Sequence, residues 1–233
     1  MPWVVGIDEA GYGPNLGPLV QAAVALHLPD ADAAGWDTLR PAVRRAHEKP
    51  DQRLLIDDSK RVYARGGLEA LERGVWSVVA ADPHTVHDFL WGGGDVPLWG
   101  EDLLAEAWFD GTDSLPLHVD PGAEWEAVPE GWVVAEREGA DESRYRVEGL
   151  PRAVTITFRP RADGDSAAVA LASMLCKYLR EVCMRQFNRF WAGHVPGLAP
   201  TAGYPVDAKR FYAQIQPAMA RLGLTPDQVW RKK

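Results

Sequence analysis

Apolar runs near the start of the chain predict two strands. Residues 4–7 and 19–28 are mainly apolar and have the length of strands. Six residues typical of turns lie between them: Gly11, Gly13, Pro14, Asn15, Gly17 and Pro18. We therefore expect two strands joined by a turn-rich connector.

Helical spacing dominates the last third of the chain. Residues 166–191 carry the strongest pattern, with apolar side chains recurring every three to four positions. Residues 207–219 predict a second helix. In the first half, residues 60–73 predict a short helix, and residues 33–48 predict a helix that Pro41 interrupts.

Further apolar runs predict strands at residues 75–80, 117–120, 132–134, 145–147 and 153–158. We expect the last two to pair. Strands that come mostly before the helices favour an α/β fold. The length of 233 residues fits one domain, with a C-terminal helical part from about residue 200 to 233.

Composition narrows the class of protein. Hydrophobic content of 46% with 25% charged residues is ordinary for a globular chain. No apolar run approaches a membrane span, and no charged-then-apolar segment precedes Trp3, so we expect a cytoplasmic protein with no membrane partner. The net charge of −8 argues against indiscriminate nucleic-acid binding but allows a locally basic groove.

The two cysteines do not predict a disulfide. Cys176 and Cys183 fall in one predicted helix, separated by about 10 Å along its axis. That separation exceeds the usual reach of a disulfide. We expect two reduced thiols on a packed helix face.

Four acids follow strand-like apolar runs: Asp8, Glu9, Asp120 and Asp163. Adjacent strand residues point to opposite faces, so Glu9 would have to reach over from the strand end or contribute its backbone carbonyl. Clustered carboxylates repel one another unless cations compensate them, and paired Mg²⁺ or Mn²⁺ ions are a common solution in phosphodiester hydrolysis. The alternative is that these acids are solvated strand ends.

Four segments resemble type 2 ribonucleases H (ribonuclease HII). Residues 6–14, Gly-Ile-Asp-Glu-Ala-Gly-Tyr-Gly-Pro, look like the opening motif of that family. Asp58-Ser59-Lys60 resembles its Asp-Ser-Lys segment. Residues 161–177, with Asp163 and the following helix, resemble its acid-plus-helix motif, and Gly203-Tyr204-Pro205 resembles its late Gly-Tyr segment. These segments occur in the family's order, over about two thirds of the chain.

The resemblance implies a ribonuclease H-like mixed sheet flanked by helices, whose four acids hold two Mg²⁺ or Mn²⁺ ions. Members of the family cut the RNA strand of RNA–DNA hybrids, or cut at ribonucleotides embedded in duplex DNA, leaving 5′-phosphates. The glycine-rich turn would contact the ribose 2′-hydroxyl, and Tyr204 would stack at the RNA–DNA junction. The candidate substrate contacts are Gly11, Tyr12, Gly13, Ser59, Lys60, Ser173, Lys177 and Tyr204.

The chain departs from the family pattern in three places. Tyr12 stands where the family has arginine in a glycine-arginine-glycine turn, and Thr201-Ala202 replace a His-Lys pair. Asp120 lies 43 residues before Asp163, so residues 122–150 look inserted. Asp165 competes with Asp163 as the fourth ligand, although only Asp163 aligns without a gap. We therefore expect a divergent subgroup.

Several candidates have structural alternatives. Ser59 or Asp58 could cap the following helix. Lys60 and Lys177 could be surface lysines, or Lys177 could orient a site carboxylate. Tyr204 could pack in its own turn.

For the whole chain we expect a monomeric nuclease acting on nucleic acid. Two rival functions remain. One is a nuclease of the same fold with a different nucleic-acid substrate, and the other is a non-catalytic nucleic-acid binding module.

Overall fold

The computed structural model describes residues 3–29, 34–77, 85–86, 89, 106–113, 132–137, 143–148, 154–158 and 162–231. For the strands between residues 132 and 158, and for Asp163, only the backbone is described. The predicted strand at 117–120, with Asp120, lies outside these residues.

The described strands form three small sheets. Strands β1 (Trp3–Ala10) and β2 (Val20–His27) make the first, and the short strands β3 (Val43–Arg44) and β4 (Leu54–Leu55) pair in parallel in the second. The third is an antiparallel meander in which β6 (Ser143–Glu148) pairs with both β5 and β7. Its other strands are β5 (Trp132–Arg137) and β7 (Val154–Phe158).

Five α-helices lie in the described part of the chain, and most of their residues belong to three of them. The long ones are α2 (Ser59–Trp76), α3 (Ala167–His194) and α4 (Pro205–Leu222). The short ones are α1 (Trp36–Leu39) and α5 (Pro226–Val229). The fold is therefore mixed α/β, with helices and small sheets.

The ends of these helices follow from their sequences. Asp58 caps α2, because its carboxylate accepts hydrogen bonds from the amides of Lys60 at 2.8 Å and Arg61 at 3.1 Å. Helix α4 begins at Pro205, whose missing N–H costs nothing at a helix start, and it ends at the left-handed Gly223. The predicted helices at 166–191 and 207–219 are confirmed, and residues 60–73 are helical on both sides of a kink at Gly66 and Gly67.

Two predictions were wrong. Residues 33–48 form only the short helix α1 where the structure describes them, because the chain leaves Pro41 to enter β3. Residues 75 and 76 belong to α2 and not to a strand, since Val75 and Trp76 are buried on the continuing face of that helix. The rest of that predicted strand lies outside the described residues.

The chain divides into two compact units. Unit 1 comprises Met1–Glu9, Gln21–Ala80 and His118–Lys177, and unit 2 comprises Ala10–Val20, Ala81–Leu117 and Tyr178–Lys233. The prediction of a single domain over 1–233 stays a prediction.

Each unit has its own buried apolar side chains. In unit 1, Leu71 and Val75 of α2 and Leu171 and Met174 of α3 are buried. In unit 2, Phe187 of α3 stacks on Phe211 of α4, with ring centroids 5.6 Å apart. Both cysteines are free and buried on α3, as predicted. No helix among the described residues combines the length and apolarity needed to cross a membrane.

Candidate functional site

Strand β1 runs directly against the start of α3 in unit 1. Gly6 is buried, and a Cβ atom there would collide with the backbone of Ala168 and Val169. Glycine is therefore required by the close approach of strand and helix, not by an unusual backbone angle. This contact fixes the position of Asp8, two residues further along the same strand.

The backbone of Asp8 is held by α3. The thiol of Cys176 donates a hydrogen bond to the Asp8 carbonyl oxygen at 2.9 Å. Burial, together with the charges of Asp8 and Glu9, raises the pKa of the Cys176 thiol to about 12. Both carboxylates are thus close enough to act on one thiol. Asp8 is half-buried and Glu9 exposed, as expected for strand neighbours on opposite faces.

Neither Asp8 nor Glu9 forms an ion pair with any lysine, arginine or histidine that the structure describes. Two adjacent acids with no cationic neighbour suit a hard divalent cation, because Mg²⁺ and Mn²⁺ prefer carboxylate oxygens. No group of three potential ligands occurs among the described side chains. Since those of Asp120 and Asp163 lie outside them, the four-acid ligand set stays a prediction.

Asp163 lies in a 3₁₀ turn, Ala162–Gly164, just before α3. Arg45 holds this turn by donating from Nη2 to the Gly164 carbonyl oxygen at 3.0 Å. The same guanidinium lies 3.7 Å from the carboxylate of Asp57. The alternative ligand Asp165 is exposed.

Asp57 is an acid that sequence analysis did not single out. It is fully buried, and it accepts hydrogen bonds from the amides of Ala46 and Asp58, both at 2.8 Å. Arg45 and Arg61 both lie within ion-pair distance of it. Its satisfied surroundings mark a structural acid that joins the β3–β4 region to the start of α2.

Three of the candidate substrate contacts, Ser59, Ser173 and Lys177, lie where α2 meets α3. The Ser173 hydroxyl donates to the Ser59 hydroxyl at 3.0 Å, and both residues are buried. One turn further on, the Lys177 ammonium lies 4.5 Å from the ring centroid of Tyr63, a cation–π contact. The two serines therefore form an internal hydrogen bond in this structure.

The lysines differ in exposure. Lys60 is exposed, whereas Lys177 is half-buried against the Tyr63 ring. Asp58, and not Ser59, is the N-cap of α2. The open alternative for the cap is thereby resolved.

In unit 2, the glycine-rich turn is hydrogen-bonded to the Gly203 segment. The amides of Asn15 and Leu16 donate to the Gly203 carbonyl oxygen at 2.7 and 3.3 Å. Gly203 has a φ of 82°, and a Cβ there would crowd the backbone of Leu16. Two motifs far apart in the sequence thus meet in one unit.

Two tyrosines at this junction are exposed. Tyr12 is 77% exposed and Tyr204 is 53% exposed. The Tyr204 ring lies 3.7 Å from the point where a Cβ at Gly13 would be, so the ring lies beside the turn. The Tyr204 ring is therefore not packed into the interior of its own turn.

Two arginines that the sequence analysis missed support the turn. Arg231 donates from Nη2 to the carbonyl oxygens of Gly11 and, at 2.7 Å, Pro14. Arg180, only 3% exposed, donates from Nη2 to the carbonyl oxygen of Ala202 at 3.0 Å. No sequence periodicity predicts such contacts, since they join segments far apart along the chain.

No protein-family model matches the chain. The resemblance to type 2 ribonucleases H therefore rests on the motifs themselves. What bears on function is how unit 1 presents its acids and how unit 2 builds its turn.

Proposed function

We propose that this protein is a metal-dependent endoribonuclease of the type 2 ribonuclease H kind, acting on RNA–DNA hybrids or on ribonucleotides embedded in duplex DNA. The observation that carries the proposal is the acidic end of β1. There Asp8 is fixed by Gly6 and Cys176, and Asp8 and Glu9 have no cationic partner among the described residues.

Asp8, Glu9, Asp120 and Asp163 would hold the Mg²⁺ or Mn²⁺ ions. Bound cations of this kind supply Lewis-acid activation of a phosphodiester toward hydrolysis. The contribution of this chain is to fix the acids: Cys176 holds the Asp8 backbone, and Arg45 holds the turn that contains Asp163. A ribonuclease H-like arrangement of the sheets is part of the same proposal.

The junction in unit 2 supports a nucleic-acid substrate. An aromatic face can stack on a base or sugar, and a glycine turn lets a backbone approach a ribose closely. Tyr204 and Gly13 provide these two features side by side. The 2′-hydroxyl would be the group that distinguishes the cleaved nucleotide from DNA.

The test is cleavage of a DNA duplex carrying one ribonucleotide, with Mn²⁺ or Mg²⁺, by the wild type and by Asp8→Asn. We expect 5′-phosphate products from the wild type and a loss of roughly 100-fold or more in the variant, since even indirect supports of metal ligands are worth 10–100-fold. Asp37→Asn, which changes an exposed acid in α1 of the same unit, is the control. Absence of cleavage by the wild type with either metal would refute the proposal.

One observation favours a second candidate, a nuclease of the same fold with another nucleic-acid substrate. The residue at the exposed tip of the turn is the uncharged Tyr12, where the resemblance leads one to expect arginine. If Tyr12→Arg creates hybrid cleavage that the wild type lacks, the second candidate is correct.

A further inference from the structure

The guanidinium groups of Arg180 and Arg231 bind carbonyl oxygens of the glycine-rich turn. Arg231 Nη2 binds the carbonyl oxygens of Gly11 and Pro14, and the Arg231 amide donates to the Asn15 carbonyl oxygen at 2.9 Å. Arg180 Nη2 lies 3.4 Å from the Leu16 carbonyl oxygen, a longer contact on the same side. The turn is therefore fixed from behind through its oxygens.

The amide N–H groups at the tip of the turn have no such partner among the described residues. The amides of Tyr12 and Gly13 donate to no acceptor among the described residues, and both residues are exposed. Successive amides in a turn form a concave site for an anion or a hydroxyl oxygen. Arg231 Nη2 binds the Gly11 carbonyl and lies 3.5 Å from the Tyr12 carbonyl, the carbonyls of the two peptide units that carry the Tyr12 and Gly13 amides. A charged donor on a carbonyl polarises its peptide unit and strengthens the N–H group.

Neither arginine is neutralised by a carboxylate that the structure describes. Arg180 and Arg231 form no ion pair with described residues, and Arg180 Nε and Arg231 Nη1 are buried there without an acceptor. Burial lowers the pKa of the Arg180 guanidinium, a shift that Glu181 opposes and that the charge of Arg231 increases. Two positive charges thus lie behind a turn whose tip, Tyr12, has none.

We propose that Arg180 and Arg231 are positioning residues: they fix the carbonyls of the turn so that the Tyr12 and Gly13 amides face the ribose and phosphate of the substrate, and they supply from behind the positive charge that position 12 lacks. The inference rests on the proposed function. It assigns the substrate preference of this chain to the turn's supports and not to a side chain at its tip. Arg231 carries the larger part, because its guanidinium binds the carbonyls of Gly11 and Pro14 and its backbone amide binds that of Asn15.

The test compares Arg231→Gln and Arg231→Lys with Arg221→Gln. Arg221 is a matched control, since its exposed guanidinium also donates to backbone carbonyls of unit 2, those of Pro217 and His194. Two quantities are measured in metal-free buffer, where cleavage cannot interfere. One is amide hydrogen exchange over residues 10–17, and the other is the ratio of dissociation constants for an all-DNA duplex and the same duplex with one ribonucleotide.

We expect Arg231→Gln to speed exchange over residues 10–17 by about tenfold and to reduce the ribonucleotide preference by a similar factor, because charge-assisted hydrogen bonds are lost. Arg231→Lys should restore part of both, since it keeps the charge but not the forked geometry. Arg221→Gln should change neither. Arg180→Lys serves as a second variant that retains the buried charge.

Unchanged exchange in Arg231→Gln would overturn the proposal. Faster exchange with an unchanged preference would also overturn it, because the arginine would then only support the fold. Failure of the proposed function looks different: the wild type itself would bind both duplexes equally and cleave neither. The hydrogen-exchange measurement shows whether Arg231 stabilises the turn, whether or not the wild type prefers the ribonucleotide duplex.

Discussion

The two units of this chain each contain charged side chains that form no ion pair among the described residues, acidic in one unit and basic in the other. In unit 1, Asp8 and Glu9 lie at the end of β1 and form no ion pair with a described cation. In unit 2, Arg180 and Arg231 support the turn and form no ion pair with a described carboxylate. Paired charges provide the contrast: Arg53 binds Glu48 and Asp51, each at 2.8 Å.

The difference separates charges that are compensated by an ion pair from charges that have no ion pair among the described residues. A buried acid such as Asp57 is surrounded by two amides and two arginines, so its charge is already compensated. A desolvated charge without a partner costs free energy, and a ligand of opposite charge would offset that cost. Under the proposed function, Asp8 with Glu9 would accept the cation, and the turn that Arg180 and Arg231 support would face the nucleic acid.

The largest effect expected on stability contrasts Asp57 with Asp8. Asp57→Asn should lower the free energy of unfolding by about 3–5 kcal/mol, because it leaves Arg45 and Arg61 without their buried partner. Asp8→Asn should change metal-free stability by less than about 1 kcal/mol, since no described cation depends on it. Urea unfolding without metal measures both. Equal losses would mean that Asp8 is a structural acid and would end the comparison.

A positive charge added at the tip of the turn tests whether this part of unit 2 faces the phosphates of a nucleic acid. Tyr12→Arg adds a cation at a position that is 77% exposed, so it should gain one phosphate contact. The dependence of log binding constant on log salt should become steeper by about 0.9. Leu222→Arg, which adds the same charge at the end of α4, is the control. An identical slope for wild type and Tyr12→Arg would show that the tip does not face the phosphates.

The thiol of Cys176 should report on the unpaired acids. Its pKa of about 12, against an unfolded value of 9.0, makes the native state keep a proton that the unfolded chain loses above pH 9. The stability due to Cys176 is therefore complete below pH 9 and is lost as the pH rises toward 12. Asp8→Asn should lower this pKa by less than burial raises it, which alkylation rates of Cys183→Ala against pH can measure. A pKa that does not move would place the Asp8 charge away from the thiol.

The smallest effect concerns the paired surface acids. A hydrogen bond from the Arg45 amide and another from Arg53 lower the pKa of Glu48, and Arg53 lowers that of Asp51. Their contribution is present above their unfolded values of 4.5 and 3.8 and is lost as the pH falls through their lowered native values. Arg53→Gln should therefore be less stable than wild type at neutral pH but not in acid. Thermal unfolding across this range measures the difference, and a constant gap would contradict it.

The sequence predicted elements whose pattern is local. Residues 166–191 repeat apolar side chains at helical spacing, and the helix α3 follows that face. The strand prediction for Val75 and Trp76 was wrong, because the strand propensity of these residues is outweighed by their burial on α2. Strand β3 pairs with β4, which lies outside residues 33–48, so the pattern of residues 33–48 alone does not indicate this pairing.

For the site, the motifs located the acids and the turn but not what holds them. Gly6 was part of the recognised motif, yet its contact with α3 depends on a helix far along the chain. The same is true of Arg45 at the turn of Asp163 and of Arg231 at the glycine-rich turn. Individual hydrogen bonds between distant segments carry no periodicity, and only the fold reveals them.

The contact of Gly6 with Ala168 also sets an order of events during synthesis. The ribosome makes β1 first, but the helix that contacts it begins about 160 residues later, roughly 10–30 s afterwards at ordinary rates of translation. Until then the apolar strand before Asp8 has no partner from α3. Unit 1 includes residues 118–177, so it can complete its fold only after most of the polypeptide has emerged.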